Sequence, residues 1–219
     1  MAFIALCSQI PDVKIGAWKI EEDELYFLER VKLYENEWKR LANIQHPQKR
    51  LEWLSSRLCL KELLKISNQV RVESLNASSG KPYLSTLSHR ISYTHSNKYS
   101  AAIASLDYEV GVDIEYRHRK RNQRTRYLFM NEAEMKRFEE KPSMEHFLMV
   151  WSAKETLYKI HGEGTSFKED LHIHMDKFPL EPNGILPATV KTDDWTKDYE
   201  IHYVLHTDFI LTYTAAKLY

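Results

Sequence analysis

Asp113 and Glu115 stand two residues apart in the run Gly111-Val112-Asp113-Ile114-Glu115. A strand sends alternate side chains to one face, so the two carboxylates would share a face with Cα atoms about 6.5 to 7 Å apart. Hard oxygen donors at that spacing suit magnesium, which keeps several waters and binds one or two carboxylates together with substrate phosphates. A solvated strand face would read the same way. A third acid lies in Trp151-Ser152-Ala153-Lys154-Glu155-Thr156-Leu157-Tyr158-Lys159, where Glu155 and Lys159 are four apart and share a helix face. That couples an acid with a cation, and it is also the spacing of a plain helix-stabilising pair. The glycines of His161-Gly162-Glu163-Gly164 then let backbone pass close to a neighbour or ligand. Gly80-Lys81-Pro82 and Tyr93-Thr94-His95-Ser96 add a cation, a hydroxyl and an imidazole on adjacent segments, a set that can hold phosphate. With ten histidines in the chain, His95 alone reads equally as a structural residue.

The elements that must position these groups follow from periodicity. The start, Met1 to Cys7, reads as a first strand. Glu21 to Ile66 is rich in helix formers and broken at His46-Pro47, which gives two or three helices. In the last of them Leu51, Leu54 and Leu58 form one stripe and Trp53, Arg57, Leu60 and Leu64 another, so the helix is expected to be well buried. Arg57 then needs an anionic partner, either an internal acid or a ligand. After the turn at residues 76–82, strands are expected at 91–96 and 99–104, and the alternation of Val110, Val112, Ile114 and Tyr116 gives another. Helices return at 131–140, where Asn131 and Glu134 have capping-box spacing, and at 143–161. Strands are expected at 171–175, 199–206 and 209–215. Helices followed by strands appear twice, so the expectation is an α+β chain of two similar halves, 1–108 and 109–219.

Composition narrows the class. Hydrophobic residues at 43% and aromatics at 12% are too abundant for a disordered chain. Lysine plus arginine total 31 and so do the acids, which leaves no global field to favour nucleic acid or an anionic membrane. No stretch approaches the roughly 20 apolar residues of a membrane span, and the N-terminal apolar stretch lacks a basic leader, so a cytoplasmic location is expected. Cys7 and Cys59 have no metal-ligand or disulfide spacing and are expected to be buried, inert thiols.

In this order the motifs resemble the Sfp-like branch of the 4′-phosphopantetheinyl transferase superfamily. Its pattern is a Gly-Lys-Pro turn, an Asn/Ser-x-Ser-His-Ser strand, a Gly-x-Asp-Ile-Glu strand and a Trp-x-x-Lys-Glu-x-x-x-Lys helix. Residues 80–82, 92–96, 111–115 and 151–159 match these in turn. Tyr127 to Glu134 is similar to the family's Phe-Phe-Ser-x-x-Glu segment, so the resemblance spans about residues 45–165. It implies coenzyme A held in a cleft between two similar halves. It implies magnesium, with manganese as an alternative, on Asp113, Glu115 and Glu155. Lys81, Pro82, Thr94, His95, Lys154 and Lys159 would line the phosphates, with Arg50 or Arg57 near the 3′-phosphate. Thr94 stands where the family has serine, Asn97 where glycine often follows, and Glu163 where a basic residue is common.

The implied reaction is attack by a serine hydroxyl of an apo acyl or peptidyl carrier protein on the β-phosphorus of coenzyme A. Adenosine 3′,5′-bisphosphate is released. Such transfers need positioning and charge neutralisation. Asp113, Glu155 and Lys159 form the implied catalytic set. Glu155 would take the serine proton directly or, ranked first, through water, and Lys159 would stabilise the leaving phosphate. The basic run holding Arg117, Arg119, Lys120, Arg121, Arg124 and Arg126 reads either as a docking surface for an acidic carrier or as a solvated loop. A monomer is expected. A catalytically silent coenzyme A binding homologue and a metal-dependent enzyme acting on another pyrophosphate are the alternatives.

Overall fold

Proline can open a helix because its missing N–H falls among donors that have no intrahelical partner, and Pro47 does so here. The helix it opens runs from Pro47 to Leu64, and the His46 ring accepts a bond from the Gln48 N–H as N-cap. Its residues from Glu52 to Leu60 are all buried, as the double apolar stripe predicts. The structure is a computed structural model that describes residues 2–67, 69–118, 122–162, 164–175 and 181–217. Among these the chain falls into two compact units, Met1–Val110, joined by Lys217, and Gly111–Ala216.

The first unit builds a six-stranded antiparallel sheet from β1 (Phe3–Leu6), β2 (Val13–Lys19), β3 (Ser74–Asn76), β4 (Pro82–Leu84), β5 (Arg90–Ser96) and β6 (Tyr99–Ser105), in the order β1-β2-β6-β5-β4-β3. Helices α1 (Glu24–Arg30), α2 (Glu35–Ala42) and α3 (Pro47–Leu64) precede β3, and α3 packs on β2, β5 and β6. Phe27, Leu41, Trp53, Leu54, Leu58 and Ile91 lie in its core. The β5–β6 hairpin turns tightly between Ser96 and Tyr99, with Asn97 at φ 57°. That left-handed backbone suits glycine or asparagine.

The second unit holds a five-stranded sheet, ordered β7-β11-β10-β9-β8, from β7 (Tyr108–Tyr116), β8 (Leu171–Ile173), β9 (Asn183–Lys191), β10 (Thr196–Leu205) and β11 (Phe209–Lys217). Between β7 and β8 come α4 (Arg126–Phe129), α5 (Glu132–Glu140) and α6 (Met144–His161). The capping box expected at Asn131 is present, with Glu134 returning a bond to the Asn131 N–H. Phe129, Phe147, Val150, Leu157, Leu186 and Ile201 share its core. Each unit thus sets an antiparallel sheet and an 18-residue helix around its own core, an α+β fold of two similar halves. Strands β2, β3, β4 and β9 go beyond the sequence reading. Of the two cysteines, Cys59 is buried, but Cys7, just past the end of β1, is exposed rather than buried as expected. Burial pushes the Cys59 thiol up, so it stays protonated and inert.

Candidate active site

The glycine of Gly111-Val112-Asp113-Ile114-Glu115 owes its place to packing. A Cβ at Gly111 would lie 2.2 Å from the Thr156 carbonyl oxygen, so only glycine lets α6 come this close to β7. Buried hydroxyls secure the same helix to β11, the strand beside β7. Ser152 and Thr156 meet the Thr212 hydroxyl of β11 at 2.8 and 2.7 Å, and Thr156 also reaches the Thr212 carbonyl at 3.1 Å.

This approach brings the two acid-bearing motifs together. The Lys159 ammonium lies 2.8 Å from Asp113 Oδ1 and donates to the Val112 carbonyl at 2.8 Å. Asp113 and Glu115 are both buried on β7. Glu155 sits one helical turn from Lys159 on the same stripe and is partly buried. The Lys159 cation therefore answers Asp113 across the strand rather than serving only as a helix-surface partner. As donors, three carboxylates suit a hard cation. Among the described residues, however, no three His, Cys, Asp or Glu side chains are gathered closely enough to hold a metal ion.

Lys154, the neighbour of Glu155, has a different setting. It is fully buried, pairs with Glu134 Oε2 at 2.7 Å and donates to the Phe129 and Phe167 carbonyls at 2.7 Å each. Burial lowers its pKa, with the Glu134 carboxylate acting in the opposite sense. Lys154 thus ties α6 to α4, to the capping box of α5 and to the segment before β8. Its position in the apolar stripe Val150, Ala153, Lys154, Leu157 was the sequence signal for this.

The remaining expected residues lie in the first unit. Arg50 forms a bidentate pair with Glu24 at 2.9 and 2.5 Å and donates to the Leu41 and Ile44 carbonyls, so it closes the end of α2 onto α1. Arg57 has no acid within ion-pair distance among the described residues. Its guanidinium stacks on Trp53 at 3.6 Å and Tyr93 at 4.9 Å, and donates to the Trp53 carbonyl and the Ser56 hydroxyl. Burial pulls its pKa down to about 10. Lys81 pairs with Glu109 at 3.2 Å, and Pro82 opens β4. Thr94 is buried, while His95 is part exposed and places Nδ1 3.0 Å from Glu52. Glu52 and Glu109 were missed by the sequence reading, and Glu134 was read only as a helix cap, not as the partner of Lys154. For Glu52 the signal was there, as an acid inside a helix predicted to be buried.

Much of the basic run folds onto its own unit. Arg117 pairs with Glu145 and donates to the His206 carbonyl at 2.7 Å, His118 meets Asp208 at 3.3 Å, and Arg126 donates to the Gln123 carbonyl and Tyr127 hydroxyl. Residues 119–121, and Glu163 of the glycine loop, lie outside the described residues. No helix among the described residues is long and apolar enough to cross a membrane.

An α+β domain in which a strand bearing two buried acids is clasped by a helix carrying a Lys-Glu-x-x-x-Lys run defines the class. Residues 109–214 match the model of the 4′-phosphopantetheinyl transferase superfamily, so the chain carries a domain of that family over β7 to β11, α5 and α6. Phosphopantetheine transfer is the activity of that family. No curated protein matches the sequence.

Proposed function

We propose that the protein transfers the 4′-phosphopantetheine arm of coenzyme A to a serine of an apo carrier protein, with magnesium, in the manner of the Sfp-like branch. The observation that carries this reading is the Lys159–Asp113 pair, which joins the two motifs that bear the acids within the family-matched segment. The family resemblance assigns the metal to Asp113, Glu115 and Glu155, whose carboxylates are not gathered around one point and would have to draw together to hold it; when bound it would supply positive charge to the pyrophosphate. Lys159 is the cation for the leaving phosphate. Glu155 receives the proton of the attacking serine hydroxyl, directly or through water. Lys81, Thr94 and His95 meet the phosphates of coenzyme A. With their donors taken by Glu134 and by Glu24, Lys154 and Arg50 act as scaffold in this reading. A cytoplasmic location and a monomer complete it.

The test is the intact mass of a purified apo carrier protein after incubation with coenzyme A, magnesium and this protein. A gain of one phosphopantetheine arm that is lost with Glu155→Gln supports the reading. Coenzyme A binding by calorimetry without transfer to fatty-acid or secondary-metabolic carriers would replace it with a silent binding homologue.

A further inference from the structure

Helix α3 and strand β5 run past one another in matched register. Gln48 donates to the Asn97 carbonyl at 2.7 Å, Glu52 meets His95, and Arg57 stacks on Tyr93. Each step of four or five helical residues covers about 6 to 7.5 Å, close to the roughly 6.6 Å of two strand residues. The coincidence holds Glu52 opposite His95 as a feature of the whole helix.

Glu52 is 2% exposed. Its Oε2 lies 3.0 Å from His95 Nδ1 and 2.5 Å from the Lys49 ammonium. Burial raises the pKa of this carboxyl, but the bonds from His95 and Lys49 outweigh burial and hold it below the ordinary range. A carboxylate only accepts, so the imidazole proton resides on Nδ1. Nε2 is then the nitrogen left for a ligand. A phosphate oxygen at Nε2 also only accepts, so it is met by a ring protonated at both nitrogens, bracketed by Glu52 on one side and phosphate on the other.

We infer that Glu52 is a positioning residue: it fixes the ring orientation and the Nδ1 proton of His95, so that Nε2 is the atom presented to a phosphate of coenzyme A. This rests on the proposed function for the identity of the phosphate, and on the 3.0 Å contact alone for the position of the proton. Lys49 holds the same carboxylate oxygen and keeps it ionised.

Nitrogen-15 NMR of the histidine rings, assigned with His95→Ala, reads the proton directly. In the whole protein with the ring singly protonated, His95 should carry its proton on Nδ1, and Glu52→Met should move it toward Nε2. A wild-type ring protonated on Nε2 overturns the inference, whatever the enzyme does. Coenzyme A titrations add the functional arm. Glu52→Met should raise the KM or Kd for coenzyme A by about tenfold with kcat little changed, and Glu52→Met with His95→Ala should be no worse than His95→Ala alone. Multiplicative losses in the double variant would show that Glu52 acts apart from His95. If the wild-type chain neither binds coenzyme A nor transfers, the proposed function fails while the NMR result still decides the proton's place.

Discussion

Lys154 illustrates how far a side chain's neighbours decide its role. The family resemblance implies a phosphate cation here, yet its ammonium lies fully buried with three acceptors. Removing one member of a buried pair leaves the other charge uncompensated, so Lys154→Ala should cost about 3 to 5 kcal/mol in urea denaturation. A loss below about 1 kcal/mol would mean that Glu134 is well solvated without it. Acids behave in the same local way. Glu24 is held below the ordinary carboxylate value of 4.5 by its hydrogen bonds to Arg50, and Glu52 by His95 and Lys49 against the effect of burial. Because the folded carboxyls have the lower pKa, the unfolded chain binds more protons near pH 4. Their contribution is present above about pH 4.5 and is lost as pH falls through the folded values. Glu52→Gln should therefore flatten the acid limb of stability, measured as urea midpoints between pH 6 and 3. An unchanged acid limb would remove Glu52 from that account. Arg57 was legible as buried but not in its partner, because the Tyr93 ring that stacks on it arrives from a strand distant in sequence.

At the scale of elements, two backbone positions control how motif-bearing segments meet. Gly111→Ala would drive a Cβ into the Thr156 carbonyl and force α6 away from β7, with an expected cost of about 2 to 3 kcal/mol and loss of transfer. Chemical denaturation beside the mass assay checks both, and a variant of wild-type stability would show that the helix yields freely. Asn97 makes the opposite case. Its φ of 57° is open to glycine, so Asn97→Gly should leave the melting temperature almost unchanged, whereas Asn97→Val should lower stability by about 1 to 2 kcal/mol. Equal melting temperatures for the two would mean that the turn rearranges. Helices were legible where caps declared them, at His46-Pro47, at Asn131 with Glu134, and at Ser143. Strand β9 was harder, because Pro187 in its middle removes a backbone donor and argues against a strand. Its carbonyl is nevertheless used, accepting from the His174 N–H at 2.8 Å. The short β3 and β4, three residues each, offer too few positions for any period to show.

Over the whole molecule, alternation of helices and strands was enough to read two α+β halves, since each half must close its own core. The order of four short motifs was enough to name the family that residues 109–214 match. Less legible was which charges face a substrate and which hold the fold, because Arg50, Arg117, Lys154 and Lys159 look alike in sequence and differ only in the acids and carbonyls that folding brings to them. The central claim is that the Lys159–Asp113 meeting of helix and strand belongs to a phosphopantetheine transfer site. Its most direct test is the intact mass of an apo carrier protein incubated with coenzyme A, magnesium and the chain, with Glu155→Gln and Lys159→Ala alongside. The expected result is one added phosphopantetheine arm with the wild type, none with Glu155→Gln and a rate reduced at least about a hundredfold with Lys159→Ala. An arm added equally well by the two variants, or by no form of the chain on any apo carrier, would contradict it.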